Sequence, residues 1–566
     1  MASPVTLSWS GLAAVRGWCL PLRIRFLLTS FFSSAFGTVA DGGEDLRVAF
    51  QSSADGASQF FRLYVPTGYD PAKPGPLVIA LHGSGGNENS FFDDEAHYPA
   101  RHGLKFAAEK HHVLVACPSA RGNTNYRGLG EISVFDVLQE VKRRYRVDPE
   151  RVYLTGHSMG GTGATDLTLH HPGVFAAVVP IAAARSIRWV AANAEHTPFW
   201  WIAGELDQAF YKLGVAVGFE RMQRLGYEAQ LTEVAGEGHY GVARDFQPVF
   251  DWLLQHRRVA HPRSFTLEVD TLLHPRAYWI TVESIAQRGT VATVQARAIS
   301  PQRAHLKLDN VAAVSLWPDP AIFDANATFE IEIGEHTVRL DRVPTGHEVI
   351  LTRQLNIWTT DMRKRTVHEV PSYRKHPVTM APTAMDHTGV ESNLGSWIAD
   401  AMRAATGADV ALYNHRKTDA DRPIPAGTVD IMDLLQCSLP GDQDLVTVKL
   451  SGRDILEILD ANIPARATAD GPAANLLVQL SGGSYTFDPL LTPGGRIVAS
   501  SFQPDRHYVV VLEGQVVERE TMRLAGRFKR LPYTTTSVPF TLALYGLASR
   551  AREITRDAAT RVRQAK

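Results

Sequence analysis

The stretch that decides the fold reads Arg151-Val-Tyr-Leu-Thr-Gly-His-Ser-Met-Gly-Gly161. Its first half, through Thr155, has the apolar and β-branched composition of a buried strand, and a helix-compatible segment follows Gly161. Glycines stand two positions before and two positions after Ser158, where a sharp strand-to-helix turn leaves no room for a Cβ atom. A turn of this kind presents a serine hydroxyl, and the pattern therefore predicts that Ser158 is a nucleophile.

Short apolar runs alternate with helical stretches on both sides of this turn. In the segment 134–145, for example, apolar residues recur every three to four positions, as on the buried face of a helix. The alternation is typical of a parallel sheet with helices on both faces. We therefore predict a three-layer α/β domain over residues 41–258. Its predicted strands are 77–81, 113–117, 151–155, 178–181, 199–203 and 229–234.

A serine nucleophile needs a base and a carboxylate that orients the base. Asp207 follows the predicted strand 199–203, and His239 follows the predicted strand 229–234. Loops at the carboxyl ends of parallel strands meet at one edge of the sheet. We therefore expect Ser158, Asp207 and His239 to form a catalytic triad, with Glu205 as the alternative carboxylate.

The oxyanion that forms during acyl transfer needs backbone N–H donors on a rigid loop. The glycine-rich segment Leu81-His-Gly-Ser-Gly-Gly86 follows an early strand and suits this role. We expect the donors to be the amides of Ser84 and of Met159, the residue after the nucleophile. A phosphate-binding loop is the alternative, but the sequence lacks the glycine and lysine spacing that such loops have.

Four segments together resemble the polyhydroxybutyrate depolymerase and feruloyl or acetylxylan esterase group of α/β-hydrolases. They are His82-Gly-Ser-Gly-Gly86, Gly156-His-Ser-Met-Gly-Gly161, Gly204-Glu-Leu-Asp207 and Gly238-His239. The resemblance implies an α/β-hydrolase fold and hydrolysis of carboxylic esters through an acyl-enzyme, without a metal or cofactor. A serine peptidase similar to prolyl oligopeptidase is the alternative. Small or polymeric esters are the expected substrates, and residues expected to contact them are His82, Phe91, Tyr98 and His157.

The hydrophobic period changes after a polar, proline-containing segment near residue 260. Apolar residues alternate in 265–270 and 329–333, which predicts a small antiparallel β domain over 263–352. A linker is expected over 353–384, because this segment has three prolines and little periodicity. An α+β domain is expected over 385–566, with a helix at 393–406 that ends at Gly407.

The last of these domains resembles the C-terminal domain of secreted 5'-nucleotidases, through Glu391 to Asn414, Pro425 to Leu435, Val446 to Leu459 and Ser484 to Pro489. That family binds nucleosides with an Asn-Gly-Gly-Gly-Ile-Arg loop and a Pro-Phe-Gly turn. This chain has Asn414-His-Arg-Lys-Thr-Asp419 and Pro440-Gly-Asp-Gln443 instead. We therefore expect a scaffold or binding module, and a nucleotide-binding protein is the weaker alternative.

The first 40 residues place basic residues before an apolar stretch at 26–40. This stretch is shorter than the roughly 20 residues that span a bilayer, so it predicts a signal peptide rather than a stable membrane anchor. Secretion or export to a periplasm is expected. The 58 Lys and Arg residues nearly balance the 59 Asp and Glu residues, which argues against a nucleic-acid partner selected by overall charge.

Overall fold

The structure is a computed structural model of the 566-residue chain. It describes residues 43–183, 190–207, 209–355, 357–365, 377–386, 390–414, 423–430, 433–434, 444–463, 478–514, 532–555 and 560–565. The expected signal peptide at 1–40 lies outside these ranges. The same holds for the two segments 415–422 and 435–443, which contain most of the departures from the 5'-nucleotidase pattern.

The first part of the chain forms an eight-stranded sheet in the order β1-β2-β4-β3-β5-β6-β7-β8. Strands β1, β2 and β4 pair antiparallel, and every pair from β4 through β3 to β8 is parallel. The strands are β1 (Glu44–Gln51), β2 (Ser58–Val65), β3 (Gly75–Leu81), β4 (Leu114–Pro118), β5 (Val147–His157), β6 (Val178–Ile181), β7 (Phe199–Gly204) and β8 (Ala229–Val234).

Helices cover both faces of this sheet. Along β3, Leu77, Ile79 and Leu81 belong to one buried apolar cluster, whereas Val78 and Ala80 belong to another. Because side chains alternate across a strand, the two clusters are the two faces of the sheet, and the three-layer α/β prediction is confirmed. The helices are α1 (Ser90–Asp93), α2 (Leu104–His111), α3 (Leu129–Arg144), α4 (Met159–His170), α5 (Ala209–Leu225) and α6 (Gln247–Leu253), with 3-10 turns at Ala191–Ala194 and Gly241–Ala243.

The next part consists of two five-stranded sheets that share one apolar core. The sheet orders are β10-β11-β14-β17-β18 and β16-β15-β13-β12-β9. The strands are β9 (Ser264–Val269), β10 (Arg276–Ala277), β11 (Ile280–Ile285), β12 (Ala292–Ser300), β13 (Arg303–Asp309), β14 (Val311–Leu316), β15 (Phe329–Ile333), β16 (His336–Leu340), β17 (His347–Gln354) and β18 (Ile357–Lys364).

Two features of this part differ from the sequence prediction. Strands β13 and β15 pair in parallel within an otherwise antiparallel sheet. The expected linker at 353–384 instead contains the end of β17 and all of β18, which pairs with β17 along its full length. Strand β18 is an edge strand with mostly exposed side chains, and for that reason its sequence lacks apolar alternation.

Where the structure describes it, the last part mixes strands with helices, and its five-stranded sheet has the order β23-β20-β26-β22-β27. Helix α7 begins and ends as predicted, and Gly407 follows it at φ +68°, a conformation that favours glycine. Strand β19 lies inside the expected linker and pairs with β21. The elements are β19 (Pro377–Ala381), α7 (Asn393–Thr406), β20 (Val410–Asn414), β21 (Gly427–Asp430), β22 (Asp444–Ser451), α8 (Gly452–Ala461), β23 (Val478–Ser481), β24 (Tyr485–Phe487), β25 (Ile497–Ser500), β26 (His507–Glu513), β27 (Tyr533–Pro539), α9 (Phe540–Arg550) and β28 (Val562–Gln564).

No helix in the described ranges is both long enough and apolar enough to cross a membrane.

Candidate active site

Ser158 stands at the turn between β5 and α4 with φ +58°, a strained conformation for a residue with a Cβ atom. The two flanking glycines are required by close packing. A Cβ atom on Gly160 would lie 1.9 Å from the Leu81 carbonyl oxygen, and one on Gly156 would lie 2.4 Å from Gly160. The Ser158 amide donates to the Ile181 carbonyl at 2.9 Å. The turn is therefore fixed by its neighbours and holds the serine side chain at the carboxyl edge of the sheet.

His239 joins Ser158 to Asp207. Its Nε2 lies 2.8 Å from Ser158 Oγ, and its Nδ1 lies 2.9 Å from Asp207 Oδ2. The Asp207 side chain is 1% exposed, whereas the His239 side chain is 22% exposed. A carboxylate on Nδ1 fixes the tautomer that leaves the Nε2 lone pair for the serine proton. The structure thus brings together the three residues that the sequence placed on separate loops.

The two loops that carry Asp207 and His239 are linked through the backbone. The Leu206 amide donates to the Glu237 carbonyl at 2.8 Å, which joins the two loops. Within the first loop, the Asp207 amide donates to the Gly204 carbonyl at 3.1 Å. Glu205, the alternative carboxylate, is exposed and accepts a hydrogen bond from the Gly236 amide at 2.7 Å. The Glu205 carboxylate thus binds the backbone of the loop that carries His239, whereas the Asp207 carboxylate binds the His239 ring.

The glycine-rich loop passes next to the serine. A Cβ atom on Gly83 would lie 3.5 Å from Ser158 Cβ. The Gly86 amide donates to the Gly83 carbonyl at 3.1 Å, and Gly85 has φ +77°, as the third residue of a tight turn requires. Because N–H and C=O point in opposite directions in a trans peptide, this bond turns the Ser84 N–H away from the turn. No hydrogen bond of the described residues uses that N–H.

His82 supports this loop from beneath. Its Nε2 accepts from the Ala120 amide at 3.1 Å, so its hydrogen is on Nδ1, which donates to the Gly83 carbonyl at 2.8 Å. Burial lowers the pKa of His82, which keeps the ring neutral. The His82 ring and the Gly86 amide thus both donate to the Gly83 carbonyl oxygen.

His157 binds the backbone of His239, as His82 binds the backbone of Gly83. The carbonyl oxygen of His239 accepts from His157 Nε2 at 2.7 Å, and the Tyr98 hydroxyl donates to His157 Nδ1 at 2.9 Å. Burial lowers the pKa of His157 to about 4, so the ring is neutral near pH 7. Burial also raises the pKa of Tyr98, and the phenol keeps its proton. Phe91 packs against Tyr98 with ring centroids 4.6 Å apart.

The four residues expected to contact substrate are buried. His82, Phe91, Tyr98 and His157 are between 0% and 6% exposed and form a supporting layer. The ring of Tyr240, which is 45% exposed, instead borders His239 at a centroid distance of 5.4 Å. His97 packs on Tyr240 at 4.1 Å. Tyr240 was not among the residues expected at the site, although it directly follows His239.

Family models match two parts of the chain. Residues 52–223 match the family described as "Putative esterase", which covers β2 to α5 and includes Ser158 and Asp207. Residues 375–517 match the 5'-nucleotidase C-terminal domain. Both matches agree with the two resemblances found in the sequence.

Three curated relatives match part of this chain. A poly(3-hydroxyalkanoate) depolymerase C from Paucimonas lemoignei is 33% identical over 141 residues, covering 22% of this chain and 31% of the relative. An S-formylglutathione hydrolase from Rattus norvegicus is 28% identical, covering 22% and 50%. A feruloyl esterase C from Emericella nidulans is 30% identical, covering 20% and 43%. The chain thus spans half or less of the length of each of these relatives.

Solved structures also match single parts of the chain. A thermostable esterase is 22% identical with a TM-score of 0.32, covering 38% of this chain and 63% of that one. A 5'-nucleotidase precursor from Thermus thermophilus is 16% identical with a TM-score of 0.30, covering 42% and 54%. The chain thus joins a segment that matches an esterase family model to a segment that matches the 5'-nucleotidase C-terminal domain.

Proposed function

We propose that this protein hydrolyses carboxylic esters through an acyl-enzyme formed on Ser158. The observation that carries the proposal is the position of His239, whose two ring nitrogens lie 2.8 Å from Ser158 Oγ and 2.9 Å from Asp207 Oδ2. A base within this range of both groups can take the serine proton while the carboxylate stabilises the charged ring. The esterase-family match of residues 52–223 supports the same chemistry.

In the proposed reaction, His239 Nε2 takes the Ser158 proton as Oγ attacks the acyl carbon. The amides of Met159 and Ser84 donate to the oxyanion that forms. The protonated His239 then gives its proton to the leaving alcohol, and an acyl-serine remains. A water molecule, deprotonated by His239, releases the carboxylic acid and restores Ser158.

The substrate class that we propose is an ester of the feruloyl, acetyl or polyhydroxyalkanoate type. The exposed Tyr240 ring lies beside His239, where it can stack on an aromatic or apolar acyl group. The names of the depolymerase and feruloyl esterase relatives agree with this range of substrates.

A substrate panel tests the proposal. The full chain is assayed on p-nitrophenyl acetate, methyl ferulate, a 3-hydroxybutyrate oligomer and a proline-containing peptide anilide. We expect turnover of at least one ester, its loss in Ser158→Ala, and wild-type rates in the exposed control Ser53→Ala. Turnover of the peptide alone would favour a peptidase, and full ester activity in Ser158→Ala would refute the proposal.

We also propose that the protein is exported and that residues 385–566 position the esterase segment without a reaction of their own. The basic and apolar leader supports export. The sequence changes at 415–419 and 440–443 support the second point, since they remove the glycines and the phenylalanine of the nucleoside site. N-terminal sequencing of protein from the periplasm or medium tests the proposed export. Release of phosphate from AMP would contradict the proposal that residues 385–566 have no reaction of their own.

A further inference from the structure

Three histidines and two carboxylates meet where the esterase segment contacts the two-sheet part of the chain. Glu131 lies on α3, and His170 and His171 lie at the end of α4. Asp270 and His274 follow β9. All five side chains are between 10% and 14% exposed. None of these residues belongs to the esterase site.

One carboxylate oxygen is shared by two of the rings. Glu131 Oε1 lies 2.6 Å from His171 Nε2 and 2.9 Å from His274 Nε2. The two imidazole rings are nearly perpendicular at 88°. The three ligand atoms all lie within 4.8 Å of one another. Zinc bonds of about 2.0–2.1 Å place neighbouring ligand atoms about 3–3.5 Å apart, so a small adjustment makes these three atoms a coordination set.

The other nitrogen of His274 gives independent evidence for a ligand. When Glu131 takes the hydrogen on Nε2, the buried Nδ1 keeps a lone pair that needs a donor. Within the described residues, Nδ1 of His274 has no hydrogen-bond partner. A metal on Nε2 would instead put the hydrogen on Nδ1. Asp270 offers a carboxylate acceptor, with an oxygen within 4.8 Å of a His274 ring nitrogen, and metal-bound histidines are usually held by such an acceptor.

The surroundings also have room for a hydrated ion. A cavity of about 30 Å³ beside the cluster is lined by residues that include Glu131, His170, Asp270, His274 and Thr541 of α9. Arg127 also lines it and pairs with Asp166 at 3.1 Å, whereas His171 is not part of the lining. A cavity of about 10–15 Å³ suffices for one water molecule, and a cation bound by three protein ligands needs water to complete its coordination. The cavity thus lies where α3 and α4, the segment after β9, and the last part of the chain come together.

We propose that Glu131, His171 and His274 bind a divalent transition-metal cation, Zn²⁺ being the probe of choice, which clamps the esterase segment to the part that follows it. Two imidazoles and one carboxylate favour Zn²⁺ and its neighbours over Mg²⁺ or Ca²⁺, which prefer oxygen ligands only. Helix α4 is about 18 Å long and separates this site from Ser158. The cation therefore stabilises the fold and takes no part in ester cleavage.

The first experiment measures zinc in the full chain without an affinity tag, after loading with Zn²⁺ and gel filtration. We expect about one equivalent per chain in the wild type, and almost none in His274→Gln or Glu131→Gln. His196→Gln is the matched control, because His196 also joins the two parts, through the Ser264 carbonyl at 2.8 Å, yet lies outside the cluster. The control should keep its zinc.

A second measurement remains decisive if a variant fails to fold. Removal of zinc with a chelator should lower the melting temperature of the wild type, and added Zn²⁺ should restore it, because a ligand that binds only the folded state stabilises it. Ester hydrolysis at low temperature should not change. Wild-type protein that holds no zinc, or equal zinc in all four proteins, would overturn the proposal. Neither result would affect the proposed esterase function.

Discussion

His157 donates its Nε2 hydrogen to the carbonyl oxygen of His239 at 2.7 Å, so the residue before Ser158 holds the backbone of the histidine that contacts Ser158 Oγ. Tyr98 completes this arrangement by donating to His157 Nδ1. The arrangement connects the turn of Ser158 with the loop of His239 through buried side chains. We therefore propose that His157 is a positioning residue rather than a catalytic one.

Substitution of His157 should therefore lower kcat more than it changes KM. We expect His157→Leu to reduce kcat by about 10–100-fold, because misplacement of a catalytic group by about 1 Å costs this much. His157→Gln should recover part of the rate, since its amide can still donate to the carbonyl. Steady-state kinetics on p-nitrophenyl acetate measure both values. Equal losses in the two variants would contradict the positioning role.

The same histidine should make stability depend on pH. Its pKa is about 4 in the folded protein against 6.5 for an exposed histidine. Between these values the unfolded chain binds a proton that the folded protein does not, so stability falls as pH falls from 6.5 to 4. The contribution is about 3 kcal/mol. Urea unfolding should show that His157→Gln loses less stability than the wild type over this range, and parallel curves would contradict the prediction.

Substitutions of Asp207 and Glu205 should have very different effects on kcat. Asp207→Asn should lower kcat by about 10⁴-fold, because an amide favours the wrong tautomer of the base. Glu205→Gln should stay near the wild-type rate, since the Glu205 carboxylate accepts from the Gly236 amide, a bond that the glutamine oxygen can also accept. Assays of both purified variants on one ester suffice. A larger loss in Glu205→Gln would reassign the carboxylate.

The two glycines of the turn should not tolerate a side chain. Gly160→Ala would push a methyl group to 1.9 Å from the Leu81 carbonyl oxygen, and we expect a loss of about 3 kcal/mol or more in unfolding free energy. Gly75→Ala is the control, because no atom lies within 4 Å of its new Cβ. Urea titrations followed by circular dichroism compare them. Similar stability of the two variants would show that the turn can relax.

Tyr240 should influence the choice of acyl group. Loss of its exposed ring in Tyr240→Ala should raise KM for methyl ferulate by about 5–10-fold, as expected for one aromatic pair, and change KM for an acetyl ester less. Tyr533 is equally exposed at 45% but lies in the last part of the chain, so Tyr533→Ala serves as the control. Equal effects on both esters would remove Tyr240 from the acyl-binding surface.

The convergence of Ser158, Asp207 and His239 could be predicted from the sequence. The strand before Ser158 and the strands before Asp207 and His239 all end at one edge of a parallel sheet, so their loops had to converge. The hydrogen bond between His157 and Tyr98 could not be predicted, because sequence neighbours do not reveal which way a side chain points. Both face into the core and each other.

Other features depend on contacts that are distant in sequence. Strand β18 was missed because its exposed side chains show no alternation, and only its pairing with β17 defines it. The cluster of Glu131, His171 and His274 was missed because its members come from three separate segments. Only the adjacent pair His170-His171 could have drawn attention to it.

The most direct test of the proposed acyl-enzyme on Ser158 is covalent labelling by a fluorophosphonate. Peptide mass spectrometry identifies the labelled residue, and ester hydrolysis is followed in the same sample. We expect a single adduct on Ser158, complete loss of hydrolysis as labelling reaches completion, and slow labelling in His239→Ala. Hydrolysis that persists in fully labelled protein, or inhibition with the adduct on another residue, would contradict it.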